Sequence, residues 1–198
     1  PLTRAQFAVI LQRTFPYQAK YRNAVQFADV PPNHWAAAAI AKAYEGGFLS
    51  GQGQTFLPNE YVTRSQALVA IANGLDLTID PKRNNGRFLT SVYTDGAEVP
   101  KYAIDQIAAL SDRKLVVNYP DASTLNPNRP ISRGELAASI YQALAYQGQL
   151  PKIALSYANA NASADQNLSI NQVTLLEINL NQRRVTAFQG DKKLKSYA

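Results

Sequence analysis

The 198-residue chain has no cysteine and no methionine, one histidine (His34) and one tryptophan (Trp35). Without cysteine there can be no disulfide framework, thiolate nucleophile or cysteine-based metal site. A single histidine argues against a histidine metal centre and an ordinary Ser/His triad, and the scattered carboxylates offer no spaced pair for glycosidase chemistry. No run is apolar enough to span a bilayer, and the first residues lack the charged and apolar regions of a signal peptide. With no methionine to serve as initiator, residues upstream of Pro1 are expected.

What is present describes a foldable, moderately charged chain with a formal net charge of +6. That excess favours anionic partners. The basic residues are scattered, without the dense Lys/Arg stripe interleaved with aromatics that nucleic acid would require. Nucleic acid is therefore not the expected partner.

Internal repetition organises the chain. Thr3-Arg4-Ala5-Gln6, Thr63-Arg64-Ser65-Gln66 and Ser132-Arg133-Gly134-Glu135 each precede an apolar run, with the arginines 60 and 69 residues apart. A second shared block starts at Phe27 and at Val92, matching Asp29 with Asp95, Trp35 with Tyr102, Ile40 with Ile107 and Pro58 with Pro127. Each unit runs from an aromatic through a short leading helix, near 34–45 and 101–112, to a Gly/Pro/Asn loop and a second helix. The second helices, near 4–15, 64–75 and 133–146, carry apolar residues at helical spacing: Phe7, Ile10 and Leu11; Leu68, Ile71 and Leu75; Leu136, Ile140 and Leu144.

Thr3, Thr63 and Ser132 with Gln6, Gln66 and Glu135 have the spacing of capping boxes, and Leu2, Val62 and Ile131 occupy hydrophobic-staple positions. Capping does not require the arginine that follows. At the first helical position its charge opposes the helix dipole, at a cost of about 0.3–1 kcal/mol if exposed. Two uses would justify it: an ion pair with a carboxylate such as Asp29 or Asp95, or a planar fork beside free helix amides for an anionic ligand.

The blocks "FADVPPNHWAAAAI", "GGFLSG" and "FLPNEYVTRSQA", with the leading "PLTRAQFAVILQ", resemble S-layer homology repeats over roughly residues 1–148. The resemblance implies a mainly α fold: tandem helical repeats in a pseudo-threefold bundle, with grooves that bind a peptidoglycan-linked, often pyruvylated wall polysaccharide. Carried onto this chain, the implied polysaccharide-binding residues are Arg4, Arg64, Arg133, Trp35 and Tyr102. The third repeat departs from the pattern with Lys101-Tyr102 in place of His34-Trp35, and Gly134 where alanine is usual.

The expected division is the second half of a first repeat over 1–26, a second repeat over 27–79, an inserted loop over 80–91, and a third repeat over 92–148. A linker over 149–170 and a short β-meander fragment over 171–198 follow, with turns at Asn181-Gln182 and Gly190-Asp191. The fragment resembles the opening strands of L,D-transpeptidase catalytic domains, which use a cysteine nucleophile that this chain lacks. The function expected of the chain is thus non-catalytic anchoring in the bacterial envelope, in the periplasm or at the surface after export, with no metal or cofactor. The alternatives are the targeting part of a transpeptidase whose catalytic residues lie beyond the chain, and a helical scaffold for protein partners.

Overall fold

A computed structural model describes residues 1–15, 22–77 and 82–152, together with three strand segments near the C-terminus. The first three helices are α1 (Arg4–Thr14), α2 (Ala37–Glu45) and α3 (Arg64–Gly74); they are followed by α4 (Asn85–Val92), α5 (Ile104–Asp112) and α6 (Arg133–Tyr146). Strands β1 (Leu175–Asn179), β2 (Arg184–Gln189) and β3 (Lys192–Tyr197) pair antiparallel in that order. Most of the expected linker, and both expected turns between the strands, lie outside the described residues.

Helices α1, α3 and α6 start for the same local reason. Thr3, Thr63 and Ser132 each accept the amide of the residue three positions on, whose side chain accepts the cap residue's own amide. Leu2, Val62 and Ile131 lie buried just ahead of these caps, as do Phe7, Ala67 and Leu136 inside the first turns. The leading helices end alike: after α2 Gly47 takes φ +76°, and after α5 Lys114 takes φ +57°. Each reversal lets the next amide reach back, Phe48 to the Ala43 carbonyl at 2.9 Å and Leu115 to the Leu110 carbonyl at 2.9 Å.

The stretch 80–91, expected as an inserted loop, instead contains α4. Asn84 caps it by accepting the Arg87 amide at 3.0 Å, and Leu89 and Val92 are buried where α4 packs against α5. The turn-forming residues Asn84, Asn85 and Gly86 mask this short amphipathic pattern in the sequence. Of the basic residues there, Arg83 pairs with Asp112 at 2.8 Å and lies over the Phe88 ring at 3.5 Å.

Successive repeats interlock through their second helices. The first amides of a helix have no partner within it, and here the next repeat's loop supplies them. Arg4 and Ala5 donate to the carbonyls of Glu60 and Pro58 at 2.8 and 3.0 Å; Arg64 and Ser65 donate to those of Arg129 and Pro127, both at 2.9 Å. Val62 in turn donates to Leu2, and Ile131 to Val62, in short antiparallel bridges.

Arginine side chains complete the joints. Arg4 donates from Nε to the Phe56 carbonyl at 2.7 Å and from Nη2 to the Ser50 carbonyl at 2.6 Å. Arg64 is 2% exposed and donates to the carbonyls of Leu125 and Val117, to the Asn118 side chain, and from Nη1 to Glu135 Oε1 at 2.9 Å. The carboxylate opposite Arg64 is therefore Glu135 and not Asp95.

Asp29 and Asp95 act on the same loops from the other side. Asp29 accepts the amides of Phe56 and Leu57 at 2.8 and 2.7 Å, and Asp95 those of Leu125 and Asn126 at 2.8 and 2.6 Å. Leu57 and Asn126 both sit at positive φ, 59° and 52°. A left-handed leucine is costly, so the paired carboxylate bonds offset local backbone strain. Behind the loop, Phe27 packs on Phe56 at 5.4 Å and edge-on to Tyr44 at 5.3 Å, within one continuous core. A Cβ on Gly51 would come within 2.3 Å of the Phe27 ring, so this close approach requires glycine.

Two consequences can be measured. Lys114 is exposed and left-handed where the preceding repeat uses Gly47, so Lys114→Gly should stabilise by roughly 0.5–1 kcal/mol and raise the thermal midpoint. The second concerns acid. Burial alone would raise the Glu135 carboxyl, but hydrogen bonds from Arg129 and Ser132 and the Arg64 charge outweigh it, taking it from 4.5 to about 2. A depressed folded value means that this stabilisation is complete above pH 4.5 and lost as pH falls towards 2. Urea midpoints should drop across that window, and Glu135→Gln should flatten the drop while lowering stability at neutral pH.

Candidate functional site

Three successive units converge on a groove of about 500 Å³. Arg4 reaches it from α1, residues 47–52 line it from the turn after α2, and Gln66, Val69 and Asn73 from α3. Tyr102 and Gln106 close it from the third repeat. Arg22 lines it too, donating from Nη1 to the Leu49 carbonyl at 3.1 Å and to Ser50 Oγ at 3.0 Å, with its guanidinium 5.1 Å from the Tyr44 ring centre.

Among the described residues that line it there is no carboxylate. The polar lining is two guanidinium groups, the amide side chains of Gln52, Gln66, Asn73 and Gln106, Ser50 and the Tyr102 phenol. Asn73 is oriented by its bond to the Gly47 carbonyl at 2.8 Å. Arg4 is 5% exposed, its Cζ lies 4.5 Å from the Phe56 ring centre, and its Nη1 has no hydrogen-bond partner among the described residues. Burial lowers its pKa from 12.5, opposed by the charges of Asp29 and Glu60. These carboxylates make no ion pair with Arg4 and belong to the neighbouring depression lined by Asp29, Leu57, Pro58, Glu60 and Tyr61. Tyr102 is 56% exposed; burial of its ring base raises the phenol pKa, against a hydrogen bond with Thr63 and the Arg4 charge, so the hydroxyl stays protonated at neutral pH.

The structure brings together only part of the expected set. Arg4 and Tyr102 share the groove, with Gln66 between its capping duty and the groove wall. Arg64 is enclosed, with every nitrogen of its guanidinium engaged by protein. Arg133 is exposed at the start of α6, and Trp35 is 65% exposed beside His34, their ring centres 5.6 Å apart. His34 Nδ1 accepts the Ala36 amide at 3.2 Å, just ahead of the leading helix. Arg22, Asn73 and Gln106 were not legible as site residues, because no motif marks them and only the packing of three units puts them on one surface.

Among the described residues no three His, Cys, Asp or Glu side chains are grouped to hold a metal ion, and no helix is long and apolar enough to cross a membrane.

Comparison with known proteins bears on the repeats. The family model of the S-layer homology domain matches residues 26–68 and 92–137, the two units that interlock in the structure. Over 155 residues the chain is 27% identical to the Surface-layer 125 kDa protein of Lysinibacillus sphaericus, covering 77% of this chain and 12% of that protein. It is 29% identical over 151 residues to the Cellulosome-anchoring protein of Acetivibrio thermocellus, covering 72% and 32%. It is also 25% identical over 149 residues to the Amylopullulanase of Thermoanaerobacterium thermosulfurigenes, covering 75% and 8%. The chain thus spans less than a third of the length of these relatives, and it carries two S-layer homology domain repeats.

Proposed function

We propose that the groove between Arg4, Arg22 and Tyr102 binds an acidic oligosaccharide of the bacterial cell wall, and that the chain anchors its parent protein in the envelope by this contact. The observation that carries the reading is the lining itself. Two cations without a carboxylate favour an anion, amide side chains match hydroxyl and acetamido groups, and an exposed phenol offers a face for a sugar ring. Unpaired Nη1 of Arg4 supplies a charge-assisted donor at the floor.

The relatives support the same reading. A surface-layer protein, a cellulosome-anchoring protein and an amylopullulanase share this segment while most of their length lies outside it. A segment common to such different proteins suits attachment better than any one catalytic activity. Within this reading the repeats surround a pseudo-threefold axis, Trp35 and Arg133 contact polymer at the exposed edge, and the ligand's acidic group is a carboxylate such as a pyruvyl ketal on peptidoglycan-linked polysaccharide. The parent protein is exported to the periplasm or the cell surface.

Sedimentation with purified sacculi tests the proposal. The protein should pellet with sacculi that retain their polysaccharide and stay in solution with sacculi stripped of it. Tyr102→Ala should weaken retention about tenfold, or ~1.4 kcal/mol, without moving the thermal midpoint, because the side chain is more than half exposed. Equal pelleting with both preparations, or full retention of Tyr102→Ala, would contradict the assignment.

A further inference from the structure

The two interlocked joints are built alike but differ in charge at one position. In the capping box of α3 the fourth residue is Gln66, and in that of α6 it is Glu135. One head-group atom does the same work in both: Gln66 Oε1 accepts the Thr63 amide at 3.1 Å, and Glu135 Oε2 accepts the Ser132 amide at 2.8 Å. The other atom differs. Glu135 Oε1 accepts from Arg64 Nη1 at 2.9 Å and from Arg129, so the arginine of the preceding repeat is neutralised by its own protein. In Gln66 that second atom is Nε2, a donor. The arginine of the preceding repeat there, Arg4, is buried, lines the same groove as Gln66, and keeps Nη1 unpartnered among the described residues.

We infer that the fourth residue of the capping box is the specificity-determining position of each joint: glutamine leaves the arginine of the preceding repeat open to an external carboxylate, and glutamate closes it with an internal one. Gln66 thereby makes the Arg4 joint an anion receptor, while Glu135 makes the Arg64 joint a structural ion pair. This rests on the groove reading given above and adds to it the residue that decides which joint takes charge. The residue six positions before Gln66 and Glu135 follows the same logic. Arg129 adds a second cation that binds Glu135, whereas the exposed Glu60 in the corresponding place makes no ion pair with Arg4. Both residue types fit the capping geometry, so the choice can be exchanged without removing the cap.

The test is calorimetric titration of the full chain with two disaccharides, one carrying a pyruvyl ketal and the other identical but lacking it. Wild-type protein should prefer the charged sugar. Gln66→Glu should lose at least tenfold more affinity for the charged sugar than for the uncharged one, and retain its thermal midpoint, since the new carboxylate occupies Arg4 Nη1 and still caps α3. The exchanged variant Gln66→Glu/Glu135→Gln should recover preference for the charged sugar through Arg64. If wild type shows no preference between the sugars, the groove reading falls and the inference with it. If wild type prefers the charged sugar and Gln66→Glu keeps that preference, the groove reading stands and the inference is overturned. Equal losses with both sugars would also overturn it, by making Gln66 an ordinary contact residue.

Discussion

The fold depends on a guanidinium that leaves its own helix and bonds to the carbonyl oxygens of the next repeat. A helix of only eight to fourteen residues is marginal alone in water, and the loops between these helices hold left-handed turns at Leu57 and Asn126. Both problems have one solution. The loop is gripped on its amides by Asp29 or Asp95 and on its carbonyls by Arg4 or Arg64, and its remaining carbonyls accept the otherwise unmatched first amides of the same helix. An arginine at the start of a helix opposes the dipole, but its charge is spent beyond the helix, on oxygens that would otherwise be buried without donors.

Function follows from what this grip leaves over. Where Glu135 satisfies the last nitrogen of Arg64, the joint is closed and purely structural. At Arg4 the corresponding residue is Gln66, the last nitrogen has no partner among the described residues, and the arginine lines a groove that also collects Arg22, Tyr102 and several amides. One architecture therefore produces a mechanical joint and a receptive one within a single chain. A buried guanidinium without an ion-pair partner is expensive unless something completes it, and an acidic sugar is a natural completion.

Legibility in the sequence tracked the range of the interaction. The capping boxes were readable because both partners lie three residues apart, and the helical faces because their apolar spacing is local; Phe7, Leu68, Ile71, Leu136 and Ile140 are all buried. The destinations of the arginine side chains were not readable, since Leu125 lies 61 residues from Arg64 and Glu135 lies 71. Identical motifs predicted identical roles, yet the three arginines are half-engaged, fully engaged and exposed. The helix α4 was hidden by turn-forming residues at its start, and Arg22 by the absence of any motif around it.

The central claim is that the repeated arginine is a joint whose importance is set by the oxygens it reaches, and not by its motif. Urea unfolding of Arg64→Ala and Arg133→Ala tests this directly. Removing Arg64 leaves the carbonyls of Leu125 and Val117 and the Asn118 side chain without this donor and takes one of its two arginines from Glu135, so stability should fall by about 3–5 kcal/mol, while Arg133→Ala should stay within about 0.5 kcal/mol of wild type. Equal effects at the two positions, or a stable Arg64→Ala, would contradict the account.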